Sequence, residues 1–191
     1  MAYRKVGSAQ TLQMFKELES DVLRNYVIPG LKSSLFEDMT VRMFEQEIVQ
    51  LREISPHNHR FNFASLVLSG TVHNTIWEEV NNEEAQETDP KYVHEMSMSE
   101  LTYLDNPGDY SKALLYGLTY WKTKTYEYQT GDWYFMTTQD YHTITFDKGT
   151  KVMVFQSPDI SRQSYILEPV LPNGDTVPLS TIDRWMFQKE E

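Results

Sequence analysis

The chain's pattern predicts an all-β fold, a sandwich or barrel, and three observations point to it. From Thr40 onward, short extended runs rich in β-branched and aromatic residues follow one another between turn-forming clusters. His57 and His59 stand two apart, the spacing that puts both side chains on one face of a strand. Helical periodicity is confined to the two ends of the chain.

At the N-terminal end, Leu12, Phe15, Leu18, Val22 and Tyr26 recur at helical spacing among Lys16, Glu17, Glu19 and Asp21. Ser8 or Thr11 is placed to cap this helix, and Pro29-Gly30 to stop it. A single helix of this size is expected to pack on the outside of the barrel or on a second subunit. Residues 1–39 thus read as an N-terminal helical segment and 40–191 as the barrel, one domain overall. Val41 to Ile54 reads as a long extended segment. Ser65 to Trp77 follows and runs into the acidic stretch Glu78 to Glu87, expected to be a solvated loop. Tyr92 to Tyr103 is the next strand, and Asp105-Asn106-Pro107-Gly108-Asp109 is a turn by composition. Ala113 to Tyr128 is the longest β-like run; its tyrosines share one parity, as cross-strand packing residues do. Trp133 to Met136, Thr143 to Phe146, Lys151 to Gln156 and Ser164 to Val170 complete the strands. Pro172-Asn173-Gly174-Asp175 is a second turn, and the capping spacing of Ser180 and Asp183 predicts a short C-terminal helix to Gln188.

Composition narrows the function classes. A length of 191 residues suits one domain with a core, and 40% hydrophobic with 13% aromatic residues speaks against disorder. The absence of cysteine rules out a disulfide, a zinc knuckle or a thiol nucleophile, and fits a reducing compartment. No basic segment leads into an apolar run at the N-terminus, and no apolar run is long enough to span a bilayer. The expected location is the cytoplasm, with no membrane partner. A net charge of −11 without a basic patch argues against nucleic acid.

Polar chemistry concentrates on few residues, because the chain has only five histidines. Beyond His57 and His59, their strand face continues through Phe61, Phe63, Ser65 and Val67, a mostly apolar set that is expected to look inward. Buried imidazoles need hydrogen-bond partners or a metal ion to offset lost hydration. The pair by itself is compatible with either. Alternation aims Asn58 and Arg60 away from that face, and likewise Tyr141 away from the side of His142. His73 and His94 read as surface histidines, and Gly70 and Gly131 as turn or close-packing glycines. Glu127, on another strand, is a remote source of a carboxylate. Arg52 is the candidate for pairing with a substrate carboxylate.

At His57-x-His59 and His142 the sequence resembles the cupin superfamily. The first cupin motif reads Gly-x5-His-x-His-x3,4-Glu-x6-Gly. His57, His59 and the closing Gly70 match it, while Leu51 and Phe63 replace the opening glycine and the glutamate. The second reads Gly-x5-Pro-x-Gly-x2-His-x3-Asn. Gly131 and His142 match in separation, while Thr137, Gln139 and Phe146 replace the proline, second glycine and asparagine. The resemblance implies a cupin-type double-stranded β-helix, a jelly-roll barrel, here with an N-terminal helix and a short C-terminal helix. It also implies that His57, His59 and His142 hold one divalent metal ion. A homodimer is implied too, since cupins often pair.

Loss of the glutamate leaves three neutral ligands, as in the three-histidine thiol dioxygenases that this set resembles. That likeness implies Fe(II), with Zn or Ni as the other metals imidazole suits. It implies an oxidoreductase acting with O2 on a small-molecule substrate. Phe61 and Phe63 would then form an apolar wall over the ion, and Phe63 and Arg52 join the histidines as the expected active-site residues. Three neutral imidazoles leave the divalent charge uncompensated, which favours an anionic substrate or lowers the pKa of bound water. Two other classes stay open at this point: a cupin with a non-redox metal, acting as an isomerase or hydrolase, and a non-catalytic barrel that binds a ligand or assembles with itself.

Overall fold

The computed structural model describes residues 25–28, 31–36, 39–45, 55–103 and 110–169. They form eleven strands, β1 (Asn25–Ile28), β2 (Leu31–Phe36), β3 (Met39–Glu45), β4 (Phe63–Ser69), β5 (Thr71–Val80), β6 (Val93–Tyr103), β7 (Tyr110–Gln129), β8 (Trp133–Met136), β9 (Tyr141–Phe146), β10 (Lys151–Gln156) and β11 (Gln163–Pro169), and one short helix, α1 (Asn82–Glu87). One sheet has the order β1-β2-β3-β10-β4-β8, the other β11-β6-β7-β5-β9. From β7 onward every strand lies in the opposite sheet from its predecessor. This alternation, with antiparallel pairing throughout, is a double-sheet jelly roll, so the all-β expectation holds.

Between the sheets lies a core of Phe63, Val67, Val72, Ile76, Tyr128, Tyr134, Met136 and Val152. Each strand contributes every second residue, as the pleat requires. The first sheet buries a second cluster on its opposite face, with Val41, Met43, Leu66, Leu68 and Met153. The second sheet also has two apolar faces. Met96, Met98, Trp121 and Leu167, with Trp77, Tyr141 and Tyr165 against them, come from all five of its strands and fill the side turned away from the first sheet.

That side is enclosed because the sheet curls back on itself. The backbone of His57 bridges both His142 in β9 and Ile166 in β11, the two outer strands. His57 N donates to His142 O and His142 N donates to His57 O; Asn58 N donates to Tyr165 O and Leu167 N to Pro56 O. The segment around His57 is therefore a short strand that joins the ends of the sheet.

Several sequence expectations need correction. The helix expected to reach Tyr26 does not, since Asn25–Ile28 is strand, paired antiparallel to β2 with Tyr26 opposite Lys32. Val27 and Ile28 are β-branched, and a partner strand six residues on outweighs a helical stripe. Among the described residues strand structure starts at Asn25 rather than Thr40; the rest of that helix and the C-terminal helix lie outside them. Ser65 to Trp77 is two strands, broken at Gly70, whose φ of 77° lets the chain pass from one sheet to the other. A Cβ there would collide with the Thr150 side chain and come within 2.8 Å of its Cα. The acidic stretch is not a loop: Glu78 and Glu79 end β5, and Asn81 caps α1 by accepting from Glu84 N at 2.9 Å. Lys122 offsets part of this acid through Glu84 (2.6 Å) and Glu78 (3.3 Å).

An ion pair with a buried carboxylate ties β11 to β6 and β7. Glu168 on β11 is 1% exposed, accepts from Lys112 Nζ of β7 at 2.6 Å and from Ser99 Oγ of β6 at 3.0 Å. Lys112 is the only charged residue on Ser111–Thr119, the part of β7 that extends beyond its pairing with β5.

Candidate metal centre

The three histidines meet. One ring nitrogen from each of His57, His59 and His142 lies within 4.8 Å of the others. His142 comes from β9, and its backbone bonds to His57 bring the two rings to 5.1 Å between centroids. His59, two residues on, has its ring 4.9 Å from His57 and 5.1 Å from His142. The intervening Asn58 points the other way, as alternation predicts; it accepts from Tyr165 N at 2.6 Å and donates to Thr138 O at 2.8 Å. These bonds fix the short strand that carries both histidines.

Hydrogen bonds set the tautomers. His57 Nδ1 lies 2.9 Å from Ser55 O, and a carbonyl can only accept, so Nδ1 carries the proton and Nε2 a lone pair. His142 Nδ1 lies 2.7 Å from Asn74 Oδ1, which assigns its Nε2 a lone pair in the same way. His59 Nε2 stands 2.9 Å from His142 Nε2 and donates to it. Burial holds all three imidazoles below the usual histidine range. For His57 the Ser55 carbonyl opposes this; for His59 the neighbouring His57, His142 and Arg42 add to it, and for His142 the neighbouring His57. At neutral pH the cluster is uncharged, the state in which imidazole binds a cation.

Geometry and chemistry both suit a divalent ion. Two nitrogens at about 2.1 Å from one ion stand about 3–4 Å apart; His59 and His142 are at 2.9 Å, and the group, spanning up to 4.8 Å, would draw in by a few tenths of an ångström around an ion. Three ligands leave further coordination positions open, as a catalytic site requires. No acid joins the set among the described residues. Phe63 sets its ring edge-to-face on His59 at 5.0 Å, and Phe61 lies 5.1 Å from the same ring. Phe63 is buried and Phe61 half-buried beside the His59 ring.

Other sequence candidates separate from the site. Arg52 lies outside the described residues. Glu127 is exposed and accepts from Gln129. Arg60 pairs with Asp159 at 2.9 Å and covers the Tyr103 ring at 4.0 Å. Tyr141 packs on Trp121. His73 faces Asp147 at 3.4 Å, and His94 packs on Trp77. Gly131, with φ of 93°, makes the turn into β8.

Sequence reasoning missed two residues of the site. Asn74 is fully buried on β5 between Val72 and Ile76, and this lone amide on an apolar face was a legible signal. Arg42 on β3 alternates with Val41 and Met43, which reads as an outward cation. Instead its guanidinium stands 5.6 Å from the Phe61 ring centre, and burial lowers its pKa. Its charge is felt at His59.

No protein-family model matches the chain, and no curated protein matches it. Among solved structures it is similar to hydroquinone 1,2-dioxygenase from Sphingomonas sp. TTNP3 with 4-hydroxybenzoate bound, at 11% identity over 83% of this chain and 85% of that one, with a TM-score of 0.36. It is similar to Streptomyces albus HEPD with 2-hydroxyethylphosphonate and Fe(II) bound, at 7% identity over 68% of this chain and 21% of that one, with a TM-score of 0.35. An 11S globulin from Wrightia tinctoria, with an auxin binding site, matches at 12% identity over 77% of this chain and 32% of that one, with a TM-score of 0.34.

Proposed function

We propose that the protein is a metal-dependent oxidoreductase of the cupin type, in which His57, His59 and His142 hold one divalent ion, iron(II) foremost, for dioxygen-dependent oxidation of a small anionic molecule. The observation that carries this reading is the convergence of three buried, neutral imidazoles with no carboxylate among the described residues in the group. Iron(II) bound there would supply the redox chemistry with O2 that protein side chains lack. The chain's residues do the remaining work. His57 and His142 enter as Nε2 donors, with Nδ1 tied to Ser55 and Asn74. Phe61 and Phe63 exclude water beside His59. Arg42, inward-facing and near His59, is placed to hold a substrate anion, the role expected of Arg52.

The experiment is elemental analysis of protein purified without added metal, beside His57→Ala and His142→Ala, followed by O2-uptake assays over small thiols and carboxylic acids. About one equivalent of iron, lost in both variants, is the expected result. Full metal content in His142→Ala would overturn the assignment. Zinc or nickel held by the same residues would favour an isomerase or hydrolase, and no metal after anaerobic loading a non-catalytic barrel.

The proposal extends to a cytoplasmic homodimer. No helix among the described residues is long and apolar enough to cross a membrane. A second copy is supported by β7: among the described residues its pairing with β5 stops at Tyr120, and Leu114, Leu115 and Leu118 beyond that point are exposed. Light scattering after size exclusion should give twice the monomer mass, reduced by Leu118→Lys.

A further inference from the structure

We infer that Asn74 is a positioning residue that sets both the tautomer of His142 and the charge of the centre. This rests on the metal-site reading above. Asn74 sits mid-strand on β5, opposite Ile144 of β9, so His142 is its diagonal neighbour on the same face. Its Oδ1 is 2.7 Å from His142 Nδ1, and its Nδ2 donates to Met136 Sδ at 3.6 Å. Thioether sulfur accepts and never donates, so Met136 holds the amide with its oxygen toward the imidazole. The opposite rotation would turn an N–H toward Nδ1 and force the proton onto Nε2, where it would block a ligand. Met136 and Asn74 thus keep the His142 lone pair aimed at the other two histidines before any ion arrives.

The second consequence comes from what Asn74 is not. A carboxylate of nearly the same size would make the same bond and add a negative charge behind the ligand. An amide orients without donating charge. With Phe63 in place of the family glutamate and Asn74 behind His142, neither the ring of ligands nor its support compensates a divalent cation. The open positions would therefore select a negatively charged ligand, and Asn74 is a determinant of that selectivity.

Three variants and one probe ion test this. Asn74→Leu removes the acceptor, Asn74→Asp adds charge at constant shape, and Asn74→Ser keeps a small acceptor; thermal melting checks that each folds. Long-range ¹⁵N–¹H spectra of the metal-free protein should show His142 protonated at Nδ1 in the wild type and a tautomer mixture in Asn74→Leu. Cobalt(II), titrated against a competing chelator, should bind Asn74→Leu about 10- to 100-fold more weakly than wild type. Asn74→Ser should restore part of the loss. Azide should bind the cobalt-loaded Asn74→Asp protein more weakly than the cobalt-loaded wild type. Wild-type cobalt affinity and an unchanged tautomer in Asn74→Leu would overturn the positioning role. Unchanged azide affinity in Asn74→Asp would overturn the charge role. A wild-type protein that takes up no cobalt would overturn the metal reading and this inference with it.

Discussion

Phe63 lies edge-to-face on His59, so in the proposed metal centre it is the residue whose replacement by a carboxylate would change the charge beside the ion. Phe63→Glu would remove a buried aromatic from the core and put a carboxylate beside three neutral imidazoles. The metal-free variant should lose at least about 3 kcal/mol of stability, partly recovered when a divalent ion is added. Denaturant melts with and without zinc would read both changes. The histidines make a second prediction. Their pKa values are depressed in the folded state by burial, so the unfolded chain binds more protons as the pH falls. The stability they confer is present above the unfolded value of 6.5 and is lost as pH falls from there toward the folded values. Melting temperatures between pH 7 and pH 5 should therefore drop more steeply than in a variant with all three changed to Gln. The triad was legible because residue spacing carries it: two on one strand face and a third at a motif distance. Arg42 was not, since alternation says which residues share a face but not which face looks inward.

Strand boundaries were legible where turns bracket a short run. Trp133–Met136 and Lys151–Gln156 match the sequence expectation residue for residue, with Gly131 before the first and Gly149 before the second. They were lost where the chain changes sheets without a cluster of turn residues, as at Gly70, and where a remote partner overrides local periodicity, as at Tyr26. Gly70→Ala should cost more than about 1 kcal/mol, since it combines a positive φ with a collision at Thr150, whose hydroxyl accepts from Thr71 N and donates to Thr71 O. The Glu168 pair is the other constraint on the elements. Lys112→Ala would leave a carboxylate that is 1% exposed with only Ser99 as side-chain partner, at a cost of about 1–3 kcal/mol. Lys112→Met with Glu168→Gln should recover much of that, because the pair would then need no counter-charge. Chemical denaturation of the single and double variants separates these outcomes.

The described residues form two stacked sheets, of which the second is drawn into a ring with its own core of tryptophan, tyrosine, methionine and leucine. The all-β class was legible, but the ring was not. Its closure depends on contacts such as Tyr165 N to Asn58 Oδ1, 107 residues apart, and no local pattern encodes a meeting at that distance. The closing residue is His57, whose backbone joins β9 to β11 while its imidazole belongs to the cluster. An ion that binds the imidazole can therefore act as a fastener for a seam in the scaffold. By mass action, free metal at about a hundred times its dissociation constant would favour the closed ring by about 2.7 kcal/mol. The seam's lifetime would then report the metal supply around the protein. Amide exchange at Asn58 and Leu167 should slow as metal is added and quicken under chelator, and the β11 end of the ring should become the first point of proteolytic attack when the ion is withdrawn.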